Sequence, residues 1–406
     1  MINNDKIDPG AVLIDGHGRA DLGIVRALGE RGVDIYLLSD DRVSPVCYSK
    51  YITRIFSFPG PDSSDEEKLS ALRSIGEKFR NKPVFFSTGD KSLLLFSRNR
   101  EVLQNHYHHH IGDQELMEKC NDKMQFAKLA EEKSLSTPVT SVPSSLDELE
   151  RDIERLSFPV MVKPSEKKNW DRHPEIYNIV ENLKGVKVET PDKLINLYKE
   201  LSPYDRDMVI QDYIEGRDEA IFSLHIYIKR NGQVAGWFTG QKIRTFPIHR
   251  GIGCFQLSTI NEEVRDLGIE TLQKIGYTGH AIVQVKKLPE TDVFQIFEIN
   301  CRYSTWAYLH TRAGVNLPYA AYKDSMGMEV KTLPIQREGA RWIDGGNDLK
   351  AFRDYRRIGE WKLLPWARTY VGDNCYAFFS MSDVKPWLAM KNRRILSKVK
   401  KRSEAV

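Results

Sequence analysis

The sequence predicts an α/β domain with a mostly parallel sheet over residues 1–112, followed by an α+β region, and three observations carry that prediction. Near the start, a short apolar run, a turn, a helical stripe and a second apolar run follow one another from residue 11 to residue 38, which is the order of a βαβ unit. Residues 114–134 then place Met117, Cys120, Met124 and Ala127 on one helical stripe, ended by Pro138. From residue 208 to residue 300 strand patterns recur, two of them joined by the hairpin turn Arg230-Asn231-Gly232.

Taken in order, Ala11-Val12-Leu13-Ile14 reads as a strand that ends at the turn Asp15-Gly16-His17-Gly18. Residues 19–31 carry Leu22, Val25 and Leu28 at helical spacing, and Gly32 closes the segment as a C-cap. Residues 33–38 form the next strand, 69–79 a helix, and Val84-Phe85-Phe86 another strand. Further on, Phe158-Pro159-Val160-Met161-Val162-Lys163-Pro164 is a strand with a lysine at its end, followed by a polar stretch over residues 165–182. Residues 208–216 are a strand running into a turn, 220–229 and 233–239 are antiparallel partners, and 281–286 and 293–300 are two more strands. Trp342, Trp361, Trp366 and Trp387 predict a packed extension over residues 331–390. A basic tail, 391–406, follows; its stretch 391–402 holds seven Lys/Arg and no acid.

Composition narrows the function classes. The 406 residues are enough for two or three domains with a sizeable core. Sixty Lys+Arg against 56 Asp+Glu leave a formal charge of +4, too weak a bias for a dedicated nucleic-acid binder. No apolar run approaches the roughly 18 residues of a membrane span, and residues 1–10 lack the apolar stretch of a signal peptide. The five cysteines form no CxxC pair, which argues against a disulfide framework or a cysteine zinc site and for a reducing, cytoplasmic setting.

Three segments carry chemistry. Strand alternation puts Glu298 and Asn300 on one side of residues 293–300, and Arg302 continues that row if the strand persists. A carboxylate, an amide oxygen and a guanidinium in a row suit Mg²⁺ plus phosphate; a strand with a solvated outer face has the same pattern. Lys163, fixed at a strand end before Pro164, is a point charge suited to nucleotide phosphates, although solvated lysines also end strands. Where Gln211-Asp212-Tyr213-Ile214-Glu215-Gly216 leaves its strand, backbone N–H and C=O groups are free to pair with an adenine edge.

In that order, Asp122-Lys123 opening a helix, the Pro159–Pro164 segment, Gln211-Asp212-Tyr213-Ile214-Glu215-Gly216 and Phe297-Glu298-Ile299-Asn300-Cys301-Arg302 resemble the ATP-grasp superfamily over residues 113–330. Ala313-Gly314-Val315-Asn316-Leu317-Pro318 resembles the helix and loop that follow the metal strand in its carboxylate–amine ligases, with D-aspartate ligase-like enzymes nearest in motif. The resemblance implies a pre-ATP-grasp domain over 1–112, then a two-subdomain ATP-grasp fold, with ATP held between the subdomains. It implies that Lys123 and Lys163 serve the phosphates, Gln211, Tyr213 and Ile214 the adenine, and Glu219 the ribose; Lys187 joins the phosphate set only as part of an alternative cover. Glu298, Asn300 and Gln284 would hold Mg²⁺, while Arg302, Lys242 and Arg244 would stand near the transferred phosphate. The implied chemistry joins a small-molecule carboxylate to an amine, with an amino acid as one substrate, through an acyl-phosphate and with release of ADP. A homodimer is compatible with this reading, and neither nucleic acid nor a membrane span enters it.

The sequence also departs from that pattern. The loop after the phosphate lysine is usually glycine-rich, yet residues 165–173 contain no glycine; Lys184-Gly185-Val186-Lys187 is the alternative cover. Gln284 stands where a first metal carboxylate is usual, which leaves three options open: a single metal, another acid such as Asp212, or a degenerate nucleotide-binding protein without ligase chemistry. Cys301 replaces a frequent proline and is expected to be a buried, inert thiol.

Other motifs have blander readings. Gly16-His17-Gly18 with Gly23 suggests a dinucleotide turn, but Asp21 stands where the third glycine belongs and would repel pyrophosphate. A tight βα turn lining an acceptor pocket is the other functional reading. His106-Tyr107-His108-His109-His110 is expected to be a surface loop, since consecutive residues project apart. Tyr303, Trp306 and Tyr308 are expected in the core, with stacking on a substrate as the alternative. The basic tail is either a solvated end or a contact for anionic surfaces.

Overall fold

The computed structural model describes residues 6–393 except 17, 166–169, 171–172, 181–184 and 290. Most of the basic tail, half of the polar stretch and Lys184 therefore lie outside the described residues. Three sheets form among those described.

The first is parallel: β1 (Ala11–Ile14), β2 (Ile35–Ser39), β3 (Ile52–Ser57) and β4 (Val84–Ser87) lie in the order β3-β2-β1-β4. β1, β2 and β4 are buried along their whole length, as strands covered on both faces must be. The helix expected over 69–79 instead spans Asp65–Gly76. Its start is set by a capping box between Ser64 and Glu67 and by three acids in the first turn, signals that an apolar stripe does not contain.

At the turn after β1, the fully buried Asp21 carboxylate accepts from the N–H groups of Gly16 (2.9 Å) and Gly18 (2.8 Å) and from Thr88 Oγ1 (2.6 Å). The amides of Gly16 and Gly18, which would receive a pyrophosphate, are thus engaged from within by a carboxylate.

Residues 114–134 form two helices, Gln114–Asn121 and Lys123–Glu132, where one stripe predicted a single helix. Asp122 leaves the helical region (φ −94°, ψ 121°) and caps the second helix through Gln125 N–H at 2.9 Å. Lys123 is consequently the first residue of a helix, as expected of Asp122-Lys123 opening one.

β5 (Thr140–Ser141), β6 (Val160–Pro164), β7 (Val186–Val188) and β8 (Met208–Asp212) make the second sheet, antiparallel in the order β5-β8-β6-β7. Val160, Val162, Val188 and Ile210 bury one face against Leu194 and Tyr198 of the helix Pro191–Leu201. Period-two alternation leaves Met161, Lys163, Lys187 and Gln211 on the other face.

The third sheet comprises β9 (Ile221–Ile228), β10 (Val234–Phe246), β11 (Ile252–Ser258), β12 (Gly279–Lys287), β13 (Phe294–Asn300), β14 (Arg341–Ile343) and β15 (Asn374–Tyr376), in the order β13-β12-β9-β10-β11-β14-β15. Leu224, Ile226, Val283, Val285 and Ile299 belong to a core cluster with Val264 and Leu272 of the helix Glu262–Lys274. The opposite face carries the polar row Ser223, Gln284 and Glu298, paired residue to residue across three strands. Residues 331–390 do more than pack on this sheet, because β14 and β15 extend it. Three-residue strands give too little periodicity to be read from sequence.

That C-terminal segment also returns to the first domain. Arg26, on the helix Arg19–Gly29, donates from Nε to Asp383 Oδ2 (3.1 Å), and Ser49 Oγ and Lys50 N–H hold the same carboxylate. Arg26 and Asp383 side chains are each 1% exposed. The histidine run is likewise a seam and not a surface loop. His109 is buried, and His110 Nε2 lies 2.9 Å from the Ile228 carbonyl and its Nδ1 3.6 Å from Asp324. Backbone pairing explains the difference: Phe85 N–H donates to the His108 carbonyl and His108 N–H to that of Pro83, which draws the run alongside β4.

Candidate functional site

The polar faces of the second and third sheets meet across a cleft. Lys163 projects from β6 because its neighbours Val162 and Pro164 turn inward. Gly185 makes the close approach of the returning chain possible, since a Cβ there would lie 3.0 Å from the Val162 carbonyl and 3.1 Å from Lys163 Cγ. Lys163 Nζ donates to Gln211 Oε1 at 3.3 Å, and Gln211 Nε2 donates to Thr140 Oγ1 at 3.0 Å. Burial pushes the Lys163 ammonium down to about 8, against the pull of Glu298 and with the help of Lys123. Those two partners come from the opposite sheet and from the helix Lys123–Glu132, so three of the expected residues share one electrostatic environment. Lys123 Nζ itself donates to the Ser165 carbonyl at 3.0 Å.

On the facing sheet, Lys242 Nζ donates to Gln284 Oε1 (2.6 Å) and Gln284 Nε2 to Glu298 (2.5 Å). Gln284 and Glu298 are register partners, and Asn300 follows on the same face, opposite Ile282. The donor set is one carboxylate and two amide oxygens, hard ligands suited to Mg²⁺ only when phosphate oxygens and water complete the shell. Gln284 turns its oxygen to Lys242, so it joins such a shell only by rotating its amide and releasing the lysine. Asp212 does not replace it. Next to Gln211 on β8 it faces away, where it accepts from Ser157 N–H at 2.8 Å. Among the described residues no three His, Cys, Asp or Glu side chains cluster as a metal site.

The turn after β8 is shaped by Gly216, at φ 108°. Tyr213 N–H is already given to the Pro159 carbonyl (3.0 Å), and the Ile214 carbonyl accepts from Lys286 Nζ (2.7 Å). Among the described residues this leaves the Tyr213 carbonyl and the Ile214 N–H as the acceptor–donor pair. Lys187 Nζ lies 4.9 Å from the Tyr213 ring centroid and within 3.4 Å of Glu215 and 3.2 Å of Glu189. Glu219, half-buried in the turn before β9, has its carboxyl raised by burial and then by Asp218, and its carbonyl accepts from Gln241.

Lys286, which the sequence reading did not single out, also reaches this turn. It stands two positions after Gln284, hence on the same face of β12, and its Nζ is 5.3 Å from the Tyr213 ring. Burial lowers its ammonium, while Asp218 and Glu215 oppose that shift. Alternation from Gln284 was the available signal.

Of the two expected arginines, one is buried in the core and the other is engaged at the edge of the cleft. Arg244 does not line the cleft: β10 bulges between Lys242 and Arg244, and the guanidinium is fully buried on Asp348 (2.7 and 3.1 Å), between Phe255 and Trp361. Arg302 follows β13 but turns to the first domain, its Nε 2.8 and 2.9 Å from the two oxygens of Asp90. Tyr303, Trp306 and Tyr308 are buried, as expected of core residues, with Tyr303 stacked 3.8 Å from His280.

No family model matches the chain. It is similar to D-aspartate ligase of Enterococcus faecium, 26% identical over 399 residues that cover 91% of this chain and 90% of the relative. It is also similar to the carbamoyl phosphate synthase large chain of Bifidobacterium longum, 24% identical over 221 residues, or 52% of this chain and only 18% of that one. Among solved structures, N5-carboxyaminoimidazole synthetase of Staphylococcus aureus aligns with a TM-score of 0.62 at 13% identity, covering 89% of both chains. The L-amino acid ligase of Bacillus licheniformis aligns at 0.57 and 15%, covering 78% of this chain and 74% of that one. The biotin carboxylase domain of the Hydrogenobacter thermophilus 2-oxoglutarate carboxylase, solved with MgADP and bicarbonate, aligns at 0.62 and 14%, covering 82% and 73%.

The fold is that of an ATP-grasp protein: a parallel-sheet pre-ATP-grasp domain followed by two subdomains that face each other across a cleft. Along nearly its whole length the chain resembles a carboxylate–amine ligase of the D-aspartate ligase type. No helix among the described residues is long and apolar enough to cross a membrane.

Proposed function

We propose that this protein is an ATP- and Mg²⁺-dependent ligase that joins a small-molecule carboxylate to an amine, one of them an amino acid, with release of ADP and phosphate. The observation that carries the reading is the convergence of Lys123, Lys163 and Glu298 from three separate elements onto one cleft.

In this reading the Tyr213 carbonyl and Ile214 N–H hold the adenine edge, and Lys286, by donating to the Ile214 carbonyl, fixes the peptide that presents them. Gln211 orients Lys163, and Lys187 covers the phosphates from β7. Lys123 and Lys163 draw the triphosphate into a partly dry site, where their charge is worth more than in water. Glu298 and Asn300 hold Mg²⁺, which supplies charge neutralisation on the phosphoryl oxygens. Lys242, positioned by Gln284, faces the transferred group. A carboxylate oxygen attacks the γ-phosphorus and ADP leaves; the amine nitrogen then attacks the acyl carbon, loses a proton and expels phosphate. Arg302, paired with Asp90 at the seam of the domains, meets the carboxylate in this reading. Positioning and charge carry such a reaction, with no nucleophilic Ser or Cys.

Release of ADP, followed across paired carboxylates and amino acids with mass spectrometry of the products, tests the proposal. Magnesium-dependent turnover with a subset of pairs is expected, abolished in Lys163→Ala, Glu298→Gln and Arg302→Ala proteins that remain folded. Retained turnover in any two of these removes the site assignment. Tight ATP binding without turnover for any pair would favour the second reading, a nucleotide-binding protein without ligase chemistry, which Gln284 motivates.

A further inference from the structure

A second polar cavity, of about 510 Å³, opens at the other end of the domain seam. Lys82 and Arg100 of the first domain, His108 and His109 of the seam, and Arg230 of the β9–β10 hairpin line it together with a single acid, Asp113. It lies apart from the nucleotide cleft. Lys82 precedes β4, so the cavity is at the N-terminal ends of the first domain's strands, whereas Asp15, Ser87 and Asp90 mark their other ends. Thr278, also in the wall, is six residues before Gln284 along β12, about 20 Å at strand rise.

Three cations face one carboxylate in this cavity: Asp113 acts on Arg100 from within the lining, against its burial and the repulsion of Arg230. Lys82, Arg100 and Arg230 form no ion pair among the described residues; each is held by carbonyl oxygens instead. Lys82 Nζ donates to the Gln104 carbonyl at 2.8 Å, Arg230 to that of His109, and Arg100 to that of Gly112 and to Ser97 Oγ. Arg100 Nε is buried with no hydrogen-bond partner, a donor that ordinarily finds an acceptor. Asp113 is engaged by the Leu116 N–H that it caps. The field is felt nearby. Burial, then Lys82 and Arg230, lower His108; burial, then Arg100 and Arg230, push His109 down to about 3.

We propose that this cavity is a binding site for a phosphate-bearing small molecule, held by Arg100, Arg230 and Lys82 across the two domains. Guanidinium forks match phosphoryl oxygens, and the volume of about 510 Å³ falls within the roughly 300–1,000 Å³ of small-molecule pockets. The proposal is independent of the ligase reading, since no residue is shared with the cleft.

The test is thermal unfolding and calorimetric titration of the full chain with inorganic phosphate, glycerol 3-phosphate and citrate at constant ionic strength. A saturable rise in Tm with either phosphate is expected in the wild type and unchanged in Lys163→Ala, which separates this site from the nucleotide cleft. Lys82→Gln and Arg230→Gln, both at exposed positions outside the core, should each weaken binding about tenfold, the effect of roughly 1.4 kcal/mol. Arg100→Lys should do the same. Tighter binding of glycerol 3-phosphate than of phosphate identifies an organic phosphate as the ligand, and equal binding identifies free phosphate. Equal binding in Lys82→Gln and Arg230→Gln, loss in Lys163→Ala, binding of citrate alone, or no binding at millimolar phosphate overturns the proposal.

Discussion

Lys163 is held at a strand end by Gln211 while Glu298 draws it from across the cleft, and its titration has a consequence for activity. A lysine lowered to about 8 is charged below that pH and neutral above it. Under the ligase reading, kcat/KM for ATP, which reports the free enzyme, should fall as pH rises through about 8. The kcat limb should lie higher, because a bound triphosphate favours the charged form. Lys163→Arg should remove the lower limb; a kcat/KM profile for that variant identical to the wild type would detach Lys163 from the phosphates. Gln284 makes a second prediction at this scale. Gln284→Glu keeps the acceptor for Lys242 and adds a carboxylate beside Glu298, so the Mg²⁺ concentration for half-maximal activity should drop several-fold. An unchanged or raised requirement would show that the position does not reach the metal.

β10 shows how an element decides the role of a residue. The resemblance sets both Lys242 and Arg244 near the transferred phosphate, yet the bulge between them sends one to the cleft and the other into the core. Asp348 there also accepts from Trp366 Nε1 (2.9 Å) and Tyr370 OH (2.6 Å), so the buried pair is embedded in a network. Arg244→Met removes one charge and leaves the other uncompensated, which should cost about 3–5 kcal/mol in denaturant unfolding. ATP affinity of the folded fraction should stay within twofold of the wild type. A large loss of ATP affinity with unchanged stability would restore Arg244 to the phosphate site.

Across the whole molecule, the cleft depends on a first domain that is fastened at several places, arginine–aspartate pairs among them. Arg302 meets Asp90 beside the site, and Arg26 meets Asp383 on the far side, buried and joined by Ser49 and Lys50. Asp383→Ala strands the Arg26 guanidinium in an apolar seam, again at a cost of about 3–5 kcal/mol. The C-terminal segment should then be released, and limited proteolysis should cut after residue 370 well before the rest of the chain. Uncut protein under those conditions would show that β15 alone holds the segment.

The parts legible in the chain were those that depend on local order: strands that are apolar throughout, a lysine before a proline, and an acid and an amide two apart on an alternating strand. From these followed the α/β then α+β organisation and the resemblance to ATP-grasp ligases. Contacts between distant residues were not legible. Asp21 filling its own turn, the bulge that buries Arg244, Lys286 bracing the Ile214 peptide, and the histidine run drawn against β4 each depend on partners far away or on backbone geometry. Hydrophobic periodicity reports which side of an element faces the core; it carries no information on which polar group will stand opposite. That pairing is set only when the sheets twist, bulge and close on one another, because charge and hydrogen-bond energies depend on ångström-scale distances that tertiary packing alone supplies.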